Sequence, residues 1–133
     1  METKLINIDT SRRKVVDLTP DATSFCAGKG DGLLNLFAPH STVGLAIMEL
    51  GSRSDRDLED ALNRLLPREH PYAHAHGSPG HGADHLVPAF LAPSLTVPVE
   101  NGRPLLGTWQ SIVLVDLNVD NPERQVRLSF VAG

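Results

Sequence analysis

Apolar residues recur along this chain mostly with a period of two, in short runs broken by Gly, Pro and small polar residues. Lys4-Leu5-Ile6-Asn7-Ile8 reads as a strand, and Lys14–Leu18 is expected to pair with it across the polar turn Asp9–Arg13. Thr19-Pro20-Asp21 opens a short helix, with Thr19 as N-cap and Pro20 in the first turn, that ends near Gly28, Gly30 and Gly32. Leu33–Phe37 and Val43–Met48 are two more runs of strand length. The period then changes. Leu58, Ala61, Leu62 and Leu65 follow i, i+3, i+4, i+7 spacing, an amphipathic helix introduced by a capping box at Ser54–Asp57 and ended by Pro67; Asp60 and Arg64 can pair on its wet face.

The stretch from His70 to Gly82 is rich in Gly, Pro and Ser and reads as loop, with a second short helix beginning near Gly82 or Ala83 and carrying His85. Leu95–Val99 alternates like a strand, and Pro98 argues for an edge or a bulge. Asn101-Gly102 is a hairpin turn signal. Trp109–Leu117 and Gln125–Val131 supply the last strands, the latter with Val126, Leu128 and Phe130 on one face. Strands outnumber helices and hairpin links recur. The expected fold is a single α+β domain over residues 1–133, mainly antiparallel, with two or three helices to one side of the sheets.

Composition changes this picture little. With 133 residues, 41% hydrophobic and 21% charged, the chain has an ordinary globular mix. A chain of this size buries about 65–70% of its unfolded surface and needs neither disulfide nor metal simply to fold. The net charge of −4 gives no long-range pull toward nucleic acid or an anionic membrane. Cys26 is alone, so no internal disulfide forms. No run is long enough to span a bilayer, and METKLINIDT has no apolar signal core. A soluble, cytoplasmic protein is expected, with no nucleic-acid and no membrane partner.

Candidate chemistry gathers in one place. Five of the six histidines, His70, His74, His76, His81 and His85, fall within sixteen positions. Imidazole changes charge near neutrality and ligates Zn, Fe, Ni or Cu. No HExxH or CxxC pattern fixes a ligand geometry, so clustering leaves two readings open: a metal or catalytic site, or a solvated polar loop. His40 and Glu49 end successive apolar strands, where a polar side chain is well placed for a site or simply solvated. Gly77–Gly82, which includes Ser78, can present backbone N–H groups to an anion, and Arg124 can bind phosphate oxygens. In Gly107-Thr108-Trp109-Gln110, the single Trp beside two hydrogen-bonding side chains can form a stacking wall or fill the core.

Taken in order, His40-Ser41-Thr42 with Glu49, Tyr72-x-His74, Ala83-Asp84-His85-Leu86, Ser94–Val99 and Leu105-x-Gly107-Thr108-Trp109-Gln110 resemble the YjbQ-like family, whose members are often labelled secondary thiamine-phosphate synthases. The resemblance implies a β-sandwich-based α+β fold, usually a homotrimer. It also implies a site in which His40, His74 and His85 bind a divalent metal, Zn or similar, with Glu49 nearby. Two positions depart from the family pattern. Met48 stands where Asn usually precedes the Glu, and His81 stands where an Asn is common.

The resemblance implies an enzyme joining a pyrimidine pyrophosphate to a thiazole phosphate. In that reading His81 or Glu49 handles a proton, Ser78 and Arg124 hold phosphate, and Thr108, Trp109 and Gln110 meet the substrate ring. The alternatives are a metal-dependent phosphate or ester hydrolase, in which water attacks, and a non-enzymatic trimeric module that binds a metal or anion.

Overall fold

Eight strands form two antiparallel sheets in the computed structural model, which describes all 133 residues. The larger sheet has the order β1-β8-β3-β5-β6, from β1 (Glu2–Asp9), β8 (Glu123–Ala132), β3 (Gly32–Phe37), β5 (Ser94–Glu100) and β6 (Arg103–Pro104). The smaller has the order β2-β7-β4, from β2 (Val15–Asp17), β7 (Ser111–Asp116) and β4 (Val43–Met48). The helices are α1 (Thr19–Cys26), α2 (Ser54–Leu65), α3 (His81–Asp84) and α4 (Val87–Phe90), with a 3-10 turn at Gly51–Arg53 before α2. The expected antiparallel α+β sandwich is what the chain forms.

The strand alternation explains the layers. On β8, Val126, Leu128 and Phe130 face inward and meet Leu34 and Leu36 of β3 and Val97 and Val99 of β5, as the period of two requires. Opposite them lie Val43 and Leu45 of β4 and Ile112 and Leu114 of β7, and α1 adds Ala22, Phe25 and Cys26 to the same core. Each fully buried Leu here contributes roughly 1.5–3 kcal/mol. The other face of β7 presents Val113 and Val115 to Leu62 and Leu66 at the end of α2, to Ala83 of α3 and to Val87 of α4. Helices α2–α4 therefore cover the smaller sheet, and α3 is held where it carries the histidines. Nothing covers the outer face of the larger sheet, where Leu5, Leu33, Phe37 and Val131 are each 41–49% exposed.

Several local expectations are corrected. The segment after β1 does not pair with it. β2 joins the other sheet, Val15 opposite Val115, because Thr10 turns the chain across: its N–H donates to the Pro122 carbonyl at 2.9 Å and its hydroxyl to Asp116 at 2.6 Å. Thr19 does not cap α1. Its hydroxyl accepts the Ile112 N–H at 2.9 Å and ties the helix to β7. The Ser54–Asp57 capping box does not form either, since Arg53 in the left-handed region precedes α2 and the Ser54 hydroxyl donates to the Gly51 carbonyl. Asp60 and Arg64 form no ion pair. The Asn101-Gly102 turn forms as expected between β5 and β6, both residues at positive φ (51° and 73°). No helix is long and apolar enough to cross a membrane.

Candidate functional site

The loop after α2 is anchored before it reaches the histidines. Arg68 donates from both terminal nitrogens to the Asp84 carboxylate, at 2.6 and 3.2 Å, and again to the Pro79 carbonyl. Asp84 is 1% exposed and Arg68 partly exposed, and this bidentate pair pins the start of the loop to α3. Tyr72 donates to the Pro67 carbonyl, and the His70 ring meets Tyr72 edge-on at 4.7 Å, away from the other imidazoles. Gly80, at φ +87°, turns the chain into α3.

One helical turn then does what sequence spacing alone did not show. His81 opens α3 and His85 follows its last residue, so the two rings lie on one side, edge to face, with their Nε2 atoms 2.9 Å apart. From the loop, His74 brings its ring to 4.2 Å from that of His85 and 5.2 Å from that of His81. One ligand nitrogen from each of His74, His81 and His85 lies within 4.8 Å of the others. His76 stands against the group, its ring 4.1 Å from His74 and 4.8 Å from His81. A shallow cleft of about 270 Å³ opens over this segment, lined by Arg68, the histidine loop and the Ser78–Gly80 backbone.

The histidines suit a cation. Two nitrogens bound to one ion at 2.0–2.1 Å stand roughly 2.9 Å apart at a right angle and roughly 3.3 Å apart at the tetrahedral angle, so the His81–His85 spacing, which is also that of a hydrogen bond, fits a shared ion, and the 4.8 Å span of all three nitrogens has to contract for a third to join. Burial, and then the neighbouring imidazoles, push His74 and His85 below the usual histidine range. Both therefore keep lone pairs available at neutral pH, as ligation requires. Asp120 lies behind His81, with its Oδ2 2.9 Å from His81 Nδ1, and the Ser78 hydroxyl donates to its other oxygen. The Ser78 hydrogen bonds, above all, hold the Asp120 carboxyl below the ordinary aspartate range.

The other residues singled out from the sequence lie elsewhere. His40, expected beside His74 and His85, accepts the Gln125 N–H on Nε2 at 2.9 Å in a separate cleft of about 530 Å³ that includes Asn7, Asp9 and Arg124. Within one chain, His81 takes its place in the histidine group. Arg124, expected on phosphate, is 4% exposed. It donates to both oxygens of Asp116, at 2.7 and 3.1 Å, and to the Thr42 hydroxyl at 2.8 Å, because a buried guanidinium needs partners. Glu49 is exposed just beyond β4 and is not among the clustered ligands. Trp109 is outside β7 and 74% exposed on the β6–β7 loop, not a core residue. Thr108 beside it is exposed, and Gln110 closes this loop by accepting the Gly107 N–H at 2.7 Å. Ser78 binds Asp120. Asp120, Asn118 and the Arg68–Asp84 pair were not found from the sequence. The one trace of them is the Asn118–Pro122 turn composition, which signals a loop but not what it touches.

Comparison with known proteins agrees with this fold. The model of the UPF0047 protein YjbQ-like family matches residues 4–133. A UPF0047 protein of Mycobacterium tuberculosis is 65% identical over 133 residues, covering 100% of both chains. YugU of Bacillus subtilis, also a UPF0047 protein, is 30% identical over 120 residues, covering 86% of this chain and 89% of its own. Among solved structures, a hypothetical protein of Aeropyrum pernix superposes with a TM-score of 0.88 at 31% identity, covering 100% of each chain. A YbjQ-like protein of unknown function from Sulfolobus solfataricus gives 0.91 at 23% identity, covering 99% of this chain and 97% of its own, which is a likeness of fold. The matched length and these identities place the chain in the UPF0047 YjbQ-like family.

Proposed function

We propose that the protein is a cytoplasmic enzyme that acts on a phosphorylated small molecule, with a divalent ion such as zinc held by His74, His81 and His85. The observation that carries this reading is the convergence of those three imidazoles at the edge of an open cleft. Three protein ligands leave coordination positions for substrate, as catalytic sites do and closed structural sites do not. When bound, the ion neutralises charge on phosphate oxygens and on a departing pyrophosphate.

The reaction favoured is of the thiamine-phosphate synthase type. The thiazole nitrogen forms a bond to the methylene carbon of the pyrimidine, and the carbon–oxygen bond to pyrophosphate breaks. Pyrophosphate leaves with the electron pair. The chain's own part is to bind and orient. The Ser78–Gly80 turn lines the cleft beside His74 and His81, with the Ser78 N–H given to Asp120. The uncovered face of the larger sheet, with Leu5, Leu33, Phe37 and Val131 each 41–49% exposed, supports self-association, for which a homotrimer is the form proposed.

The test is elemental analysis of untagged protein together with identification of the product formed from the pyrimidine pyrophosphate and thiazole phosphate pair. Stoichiometric metal and a new carbon–nitrogen bond support the reading. Hydrolysis products alone replace it with a phosphate or ester hydrolase at the same site. Ligand retention without turnover replaces it with a binding module.

A further inference from the structure

Two groups compete for Nδ1 of His81, and they demand opposite tautomers. Asp120 Oδ2 lies 2.9 Å away and only accepts; the Asn118 side-chain nitrogen lies 3.2 Å away and only donates. The orientation of Asn118 is settled by its own bonds. Its Oδ1 accepts the N–H groups of Asp120 and Asn121 at 3.0 and 3.2 Å, and its Nδ2 donates to Asp84 Oδ2 at 3.0 Å. A lone pair on Nδ1 would face the carboxylate lone pairs at 2.9 Å, a repulsive contact, so the proton sits on Nδ1 and is donated to Asp120.

The carboxylate is itself fixed. The Ser78 hydroxyl donates to one oxygen and the Ser78 N–H to the other at 3.3 Å. The loop closes over the pair at Gly77, where φ is +79° and a Cβ would stand 2.8 Å from His81 Cγ and 3.1 Å from Asp120 Oδ2. With Nδ1 protonated, His81 Nε2 carries a lone pair, 2.9 Å from His85 Nε2.

We propose that Asp120 is a positioning residue for His81: its carboxylate selects the Nδ1–H tautomer and so aims the Nε2 lone pair at the site shared with His85. The consequence for metal binding rests on the proposed function; the tautomer does not. A carboxylate behind a ligating imidazole orients the ring and raises its basicity, and loss of such a partner weakens metal binding about 10–100-fold.

Long-range nitrogen–proton NMR on metal-free protein at about pH 8, with His81 signals assigned by their loss in His81→Asn, reads the tautomer directly. Wild type is expected to show Nδ1–H at His81. Asp120→Ala leaves Asn118 as the sole neighbour of Nδ1, so His81 is expected to switch to Nε2–H and zinc affinity to fall about 10–100-fold in a chelator competition. Asp120→Asn retains a carbonyl acceptor and is expected to keep Nδ1–H. A proton on Nε2 in wild type overturns the proposal whatever the variants do, and so does an unchanged tautomer in a folded Asp120→Ala protein. If the tautomer switches as expected but wild type takes up no zinc, the positioning role stands and the metal reading fails.

Discussion

His81 and His85, one helical turn apart, hold their Nε2 atoms 2.9 Å from each other at the opening of α3 and just past its end. This contact, with the His74 ring 4.2 Å from that of His85, gathers three of the imidazoles at one point. It also separates the set read from the fold, His74, His81 and His85, from the set implied by the family resemblance, in which His40 stood in place of His81. His81→Ala and His85→Ala are expected to lose stoichiometric zinc in untagged protein, and His40→Ala to retain it. Equal metal content in all three variants, measured by mass spectrometry of the element, would sink the assignment.

The Arg124–Asp116 pair is expected to matter to the fold rather than to substrate. Both side chains are almost fully buried, and Asp116 also accepts from Thr10, so the pair ties β7 and β8 to the crossing after β1. Removing one partner strands the other charge in the interior. Arg124→Met is expected to lower unfolding free energy by about 3–5 kcal/mol in urea titrations. A loss under 1 kcal/mol would show that Arg124 is not carrying this structural role.

Stability is expected to fall on mild acidification, in part through His40. Burial, and then the Arg124 guanidinium, depress its folded pKa below the ordinary 6.5. The unfolded chain therefore takes up a proton near 6.5 that the folded chain refuses. The His40 contribution is present above that pH and is lost as pH drops through it toward the depressed value. One proton corresponds to a slope of at most about 1.4 kcal/mol per pH unit. His40→Gln keeps an acceptor for the Gln125 N–H but cannot titrate, so its stability between about pH 7 and 5 should decline less steeply than that of wild type. Parallel curves would contradict the shift.

The uncovered sheet face predicts self-association. Leu33 lies opposite Val131, and Phe37 and Leu5 both flank Arg127, so the exposed apolar side chains of β1, β3 and β8 form two rows on one surface, with Thr3, Ser129 and Asn35 between them. A Leu33→Asp, Phe37→Asp protein is expected to elute as a folded monomer when mass is read by light scattering, with wild type at three times that mass. Wild-type monomer would remove the assembly from the proposed function.

Much of this was legible before any coordinates. Alternation on Val126, Leu128 and Phe130 identified an inward strand face, Asn101-Gly102 a tight turn, and the Leu58–Leu62 spacing an amphipathic helix, because each depends on neighbours a few residues apart. The sequence by itself also determined that five of the six histidines gather within residues 70–85. Only the tertiary structure decided which imidazoles converge, that β2 pairs with β7, that Arg124 is spent on Asp116, and that Asp120 reaches His81 across 39 positions. The histidine loop has no period to read. Its side chains take their places because Arg68, Asp84 and Asn118, far apart in sequence, lock it against α3.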